Sequence, residues 1–392
     1  GSLAKTVTAT LILQLVESGD LSLDDQAADY VPAAGDADAT LRELLTHTSG
    51  YSTLDGLRVA DQHDRGEAPL SDAVDDLEKT GEPGTYAYSA ANYLVLGAVI
   101  EDVTGEPYGS YAESHLMDPL GMDDSAATAE GAGDVAAGHR YWWGLPRSYD
   151  PGFDPSGASY GQLVSTLDDL TAFVLAQDSD DLIDRELREQ AQSQHVETTN
   201  GGYGFGWRTT THEGADVVHH TGANPGYFAH IFRVPVKDLD VVLMVNAHSE
   251  AKAPIVAGAA PALITLYEGG DPEPTDVDPL LTALPWALTG IAGASAIGLI
   301  LAIRHPRRRP WRLVAAGIAA ALALSMWFFP ALIGYDHRLL QVWFPDAAAA
   351  RVAAIVLAGL TAVLLLLPAS ARRRGAGRRG ADRSSSPRRR TA

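Results

Sequence analysis

Ser2-Leu3-Ala4-Lys5 sets a hydroxyl and an amine three residues apart. They open a run in which Leu3, Val7, Leu11, Leu15 and Val16 recur near helical spacing. On a helix the i, i+3 relation puts both side chains on one face, so the amine can reach the hydroxyl. A serine hydroxyl is a poor nucleophile until a base takes its proton, and a lysine serves where desolvation or nearby charge favours its neutral form. The first helical turn adds free amide donors and a field that favours developing negative charge. Alone the pair carries little weight: with 23 serines and 4 lysines, about 0.2 such pairs arise by chance.

Further groups follow in order. They are Leu44-Leu45-Thr46-His47-Thr48-Ser49-Gly50, then Pro83-Gly84-Thr85-Tyr86-Ala87-Tyr88-Ser89, and His220-Thr221-Gly222-Ala223-Asn224-Pro225-Gly226. Leu163-Val164-Ser165-Thr166 before Asp168-Asp169-Leu170, and Tyr203-Gly204-Phe205-Gly206-Trp207, lie between them. In order and approximate spacing the set resembles the serine β-lactamase-like family, the group of class C β-lactamases, D-Ala-D-Ala carboxypeptidases and esterases, over roughly residues 1–267. The resemblance implies an acyl-enzyme hydrolase of esters, amides or lactams. Ser2 would be the nucleophile, Lys5 its proton partner, Tyr88 the phenolic base or proton relay, and His220 the stand-in for the basic residue of the third motif. The oxyanion would be held by the N–H groups of Ser2 and Ala223, and Thr221 and Gly222 would line the cleft. A Tyr phenol needs nearby cations to titrate usefully below its normal pKa near 10, and Lys5 is a candidate for that charge.

Each residue also has a plainer reading. Tyr88 could be a packed aromatic in a turn, His220 and its neighbour His219 strand histidines, and His47 a turn stabiliser rather than a catalyst. The sequence departs from the family in two places. Ala90 stands where the family has an amide that helps order the lysine, and Asn92 lies two positions on, on another face of the presumed helix. That leaves a second reading, a non-catalytic binding or sensory ectodomain on the same scaffold. The family also has strands ahead of its Ser-x-x-Lys helix, whereas only Gly1 precedes Ser2, so the chain reads as a fragment or processed form whose sheet has an open edge.

The elements that must hold these residues are predicted as helices at 2–18 with Gly19 as the stop, and at 40–46, 91–103, 167–176 and 251–267. Strands are predicted at 203–210, 227–234 and 239–247. Late strands with helices before and after give an α+β fold: a β-lactamase/transpeptidase-like antiparallel sheet with flanking helices and a helical region. Twelve scattered histidines without paired ligand spacing and the lack of cysteine argue against a metal site, and no cofactor is expected.

Residues 268–283, acidic and proline-rich at their start, read as a linker. Beyond it, apolar runs at 284–303, 313–334 and 352–369 each approach the ~20 residues that a helix needs to cross a bilayer core. Arg304, Arg307, Arg308, Arg309 and Arg312 flank the first connection, and nine more arginines fill the tail from 370, against Arg338 and Arg351 in the second connection. The positive-inside tendency then makes a multi-pass protein of the cell membrane, with residues 1–267 extracytoplasmic and an Arg-rich, disordered tail at 370–392 in the cytoplasm. The expected partners are a small-molecule or peptide substrate and the lipid bilayer, with oligomeric state left open. The segment before the spans holds 47 acidic and 13 basic residues, which argues against nucleic-acid binding by that part. We read the charge excess as adaptation to high salt, which would screen the self-repulsion.

Overall fold

The first helix, α1 (Ala4–Ser18), is apolar nearly all round because it runs through the interior. Leu11, Ile12 and Leu13 are wholly buried, each contributing roughly 1.5–3 kcal/mol of transfer free energy. Its buried threonines are satisfied locally, Thr6 by the Leu3 carbonyl and Thr10 by the Thr6 carbonyl, while Thr8 donates to the Ser159 carbonyl. Gly19 ends the helix in a left-handed conformation, as its position predicts. These features belong to a computed structural model that describes residues 1–34, 39–60, 68–133, 135–180, 182–304 and 311–367. Two compact units meet at Asp278 and Pro279.

In the first unit, α2 (Leu41–Leu45) starts at a capping box in which Thr40 and Glu43 satisfy each other's amides. Helix α3 (Ala90–Thr104) packs against α1 and α2 and is also buried on most of its circumference. Helix α4 (Leu167–Ala176) starts at Thr166, whose side chain accepts from the Asp169 amide. A separate hairpin, β1 (Gly138–Trp142) and β2 (Leu145–Tyr149), precedes the main sheet and was not predicted.

The main sheet is an antiparallel meander in sequence order: β3 (Val196–Thr198), β4 (Gly201–Tyr203), β5 (Arg208–His212), β6 (Ala215–Asn224), β7 (Tyr227–Val234) and β8 (Leu239–Val245). The predicted strand at 203–210 is in fact two strands, because Gly206 takes φ 78° and turns the chain between them. Alternation along the strands serves two cores. Val218 and Ile231 face the helical region, whereas Val217 and Phe232 face helix α5 (Ala253–Tyr267) on the other side. Residues 268–278 carry no regular structure but are tied back, with the Asp278 amide donating to the Ala251 carbonyl at 2.9 Å.

The second unit starts with α6 (Pro279–Arg304), so residues 279–283, assigned above to the linker, are helical. Helices α7 (Trp311–Leu332) and α9 (Pro345–Leu366) complete three that are long and apolar enough to cross a membrane. A short helix, α8 (His337–Trp343), lies between them. The third apolar helix begins seven residues before the predicted 352, which brings Asp346 and Arg351 into it as buried side chains. Ala350, Ala354, Ala358 and Ala362 form its buried stripe, and small side chains let α9 lie close to α6 and α7. The predicted tail at 370–392 lies outside the described residues.

Candidate active site

Ser2 sits in the tight turn that leads into α1: the Lys5 amide donates to the Ser2 carbonyl at 3.1 Å. The Lys5 ammonium nitrogen reaches the Ser2 hydroxyl at 3.2 Å and donates to the Tyr160 carbonyl at 2.7 Å. Lys5 is 1 % exposed. Burial, reinforced by the Arg208 charge, lowers its pKa from 10.5 to about 7. A neutral amine at this place donates to the carbonyl and offers its lone pair to the serine proton.

Tyr88 lies beside this pair. Lys5 Nζ is 5.1 Å from its ring centre, and its hydroxyl is within hydrogen-bonding reach of Ser2 and of the Arg208 guanidinium. Burial pushes the phenol up, against the opposing pull of Arg208 and of the hydrogen bond with Ser2. The expectation of a phenol titrating below 10 is thus not met: Tyr88 holds its proton near neutral pH, which suits a relay better than a phenolate base.

His220 is buried and fully engaged. Its Nδ1 pairs with the Thr221 carbonyl at 2.8 Å and its Nε2 with the Tyr203 hydroxyl at 3.2 Å. A carbonyl only accepts, so Nδ1 carries the proton and Nε2 accepts from the phenol. Burial, then the charges of Arg208 and Lys5, hold its pKa well below the usual 6.5. The permanent positive charge beside Tyr88 and Tyr203 is instead that of Arg208, at the head of β5. Its guanidinium lies 4.9 Å from the Tyr88 ring centre and 5.5 Å from that of Tyr203.

Strand β6 extends past the pairing with β5, which ends at His219, and its last residues pair with β7 alone. Here it comes against the start of α1. A side-chain carbon added at Gly222 would fall 3.0 Å from the Ser2 nitrogen, and one at Gly1 would fall 2.4 Å from the Ala223 nitrogen. The backbone at the start of α1 thus packs closely on the end of β6, and a side chain at 222 would press on Ser2. Asn224 ties the strand end to the Gly161 carbonyl at 2.8 Å, one residue from the carbonyl that holds Lys5.

Ser2, Lys5, Tyr88, His220, Thr221, Gly222 and Ala223 are therefore brought together from α1, the turn before α3, and β6. Sequence reasoning missed Tyr160 and Arg208. Tyr160 holds Lys5 through its backbone carbonyl, and a main-chain acceptor leaves no trace in residue type. Arg208 did leave one: it is the sole Lys or Arg between Arg188 and Arg233 and directly follows Trp207.

Comparison with known proteins agrees with this architecture. A family model described as Beta-lactamase matches residues 1–265. Penicillin-binding protein 4 of Amycolatopsis lactamdurans is 30% identical over 282 residues, covering 63% of this chain and 71% of that protein. Penicillin-binding protein 4* of Bacillus subtilis (strain 168) is 29% identical, over 59% of this chain and 56% of its own length, so the match spans little more than half of that relative. Among solved structures, the octameric penicillin-binding protein homologue from Pyrococcus abyssi superposes with a TM-score of 0.61 at 25% identity, over 74% of this chain and 69% of that one. The chain belongs to the beta-lactamase family, whose members related to penicillin-binding proteins are serine hydrolases.

Proposed function

We propose that this chain is a membrane-anchored acyl-transfer hydrolase in which Ser2 attacks the carbonyl of an ester, amide or lactam. Neutral Lys5 takes the Ser2 proton as the bond to the acyl carbon forms, and the oxygen that gains charge is held by the N–H groups of Ser2 and Ala223. Tyr88, still protonated, hands a proton to the departing group and is replenished from Lys5. Water then attacks the acyl-Ser2 ester by the reverse path, releasing the acid and free Ser2. His220 stays neutral and fixes the wall of the cleft through Tyr203.

The observation that carries this reading is the 3.2 Å contact between Ser2 and a buried lysine poised near pH 7. The distribution of arginine around the three apolar helices supports an extracytoplasmic domain and a cytoplasmic C-terminus. The test is covalent labelling of the full-length protein in membranes by a fluorescent phosphonate and a fluorescent penicillin. We expect at least one probe to label the wild type and neither to label Ser2→Ala. Labelling that survives Ser2→Ala would place the nucleophile elsewhere, and wild type that binds the probes only reversibly would favour the non-catalytic ectodomain.

A further inference from the structure

His47 is 1 % exposed and stands at φ 59°, a left-handed backbone that few bulky residues adopt. Three contacts converge on it from the segment that carries Tyr88. The Ala87 amide donates to the His47 carbonyl at 2.9 Å, and the Ser89 amide donates to Nδ1 at 3.2 Å. The imidazole lies 4.5 Å, centre to centre, from the Tyr88 ring. A backbone N–H can only donate, so Nδ1 is the acceptor and the ring proton sits on Nε2. Asn92 donates to the same Nδ1 at 2.9 Å, and its own oxygen accepts from Ser49 at 2.5 Å. The ring is thereby fixed from α3 and from the loop after α2 as well.

We propose that His47 is the positioning residue of Tyr88: its carbonyl and its Nδ1 grip the backbone on either side of the tyrosine, and its uncharged ring is the wall that holds the phenol toward Ser2. The left-handed backbone is what allows one residue to present carbonyl and imidazole to neighbouring amides at once, so the strain has a use. A direct proton-transfer role does not fit. Nδ1 is committed to Ser89 and Asn92, and the ring edge packs on Tyr203, with centres 4.8 Å apart. Burial together with the Lys5 and Arg208 charges keeps the imidazole neutral, so it adds no third cation beside the phenol. The other titratable groups around it are Tyr86, Tyr88, Tyr93 and Tyr203.

The kinetic consequence of the clamp rests on the acyl-transfer reading, so the test has one arm that does not. Three substitutions separate its parts. Asparagine tolerates the left-handed backbone and places an oxygen where Nδ1 was; glycine tolerates the backbone but offers no side-chain acceptor; glutamine fits neither requirement. In the full-length protein, residue-resolved amide exchange should show Ser89 losing at least tenfold protection in His47→Gly while Ala87 stays protected, and both staying protected in His47→Asn. The acylation rate constant should fall roughly 10–100-fold in His47→Gly and His47→Gln, with probe affinity within about twofold of wild type, and His47→Asn should recover most of it. Unchanged Ser89 exchange in His47→Gly overturns the clamp, as does a loss confined to probe affinity or one that asparagine fails to relieve. If wild type is never acylated, the reaction assigned to Ser2 fails, and the exchange comparison alone decides the clamp.

Discussion

Lys5 and Arg351 face the same physical problem in the two halves of the molecule. Each is a cationic side chain buried to within a few per cent, at 1 % and 4 % exposure, and each donates to main-chain carbonyls. In the first unit the charge is negotiable. Lysine gives up its proton when desolvated, and burial with Arg208 brings that point to about 7, which is what the base proposed for Ser2 requires. In the second unit it is not, because a guanidinium remains charged in proteins. Arg351 Nη1 donates to the carbonyls of Met326 and Trp327 at 3.0 and 3.4 Å, and Nη2 to His337 Nδ1 at 3.0 Å. The Met326 carbonyl is available because residue 330, four positions on in α7, is proline and has no amide to give it. The span predicted from 352 stops one residue short of Arg351; the longer α9 takes that side chain in, and its partners mark it as a stitch between helices. In the proposed mechanism one buried cation is a reagent, whereas the other is a structural clasp, and residue type decides which.

The sharpest way to break that contrast is to exchange the chemistry. Lys5→Arg keeps the charge and the reach but cannot deprotonate near neutral pH. We expect it to lose about 10²–10⁴-fold in the rate of acylation, like Lys5→Met. A Lys5→Arg protein that acylates within tenfold of wild type would show that the charge alone, not the lost proton, matters there. The matching experiment on the other side is Arg351→Met, expected to cost about 1–3 kcal/mol by leaving the Met326 carbonyl unsatisfied. Pro330→Ala restores an amide for that carbonyl, so the cost of Arg351→Met should shrink by more than half in that background. Thermal unfolding of the detergent-solubilised full chain measures both, and simple additivity of the two changes would dissolve the proline explanation.

The smallest effect concerns Arg208. The proposed acylation requires neutral Lys5, so its rate should rise with pH through about 7 and level off above. Arg208 repels the protonated form; Arg208→Gln removes that repulsion and moves the midpoint upward. The variant should therefore be slower on the acid side, roughly tenfold for each unit of movement, and should approach wild type well above the new midpoint. A midpoint that stays put would leave burial as the sole cause of the Lys5 shift.

Much of this was legible beforehand because periodicity and punctuation are local. The helix at 167–176 and the strand at 227–234 are found with their predicted bounds, and Gly19 ends α1 where a flexible residue was needed. The misreadings have physical sources. The strand at 203–210 is rich in β-forming residues, yet the chain turns at Gly206, where only glycine fits because a side-chain carbon would fall 2.7 Å from the Lys5 carbonyl. That collision is tertiary and cannot be seen along the chain. The hairpin at 138–149 turns through Trp143 and Gly144, both at positive φ, and a tryptophan in such a place gives no turn signal.

Residue types and their order alone determined the family, the grouping of Ser2, Lys5, Tyr88, His220 and Ala223 as one candidate site, and the division between an acidic domain and apolar helices. Only the folded chain decided the state of those groups. Whether Lys5 is a base depends on burial and on the charge of Arg208, 203 positions away in the sequence. Whether Tyr88 faces Ser2 depends on amides gripped by His47, and whether Arg351 is tolerable depends on a carbonyl that Pro330 releases on another helix. Protonation and orientation are properties of surroundings, and those form only when distant segments pack together.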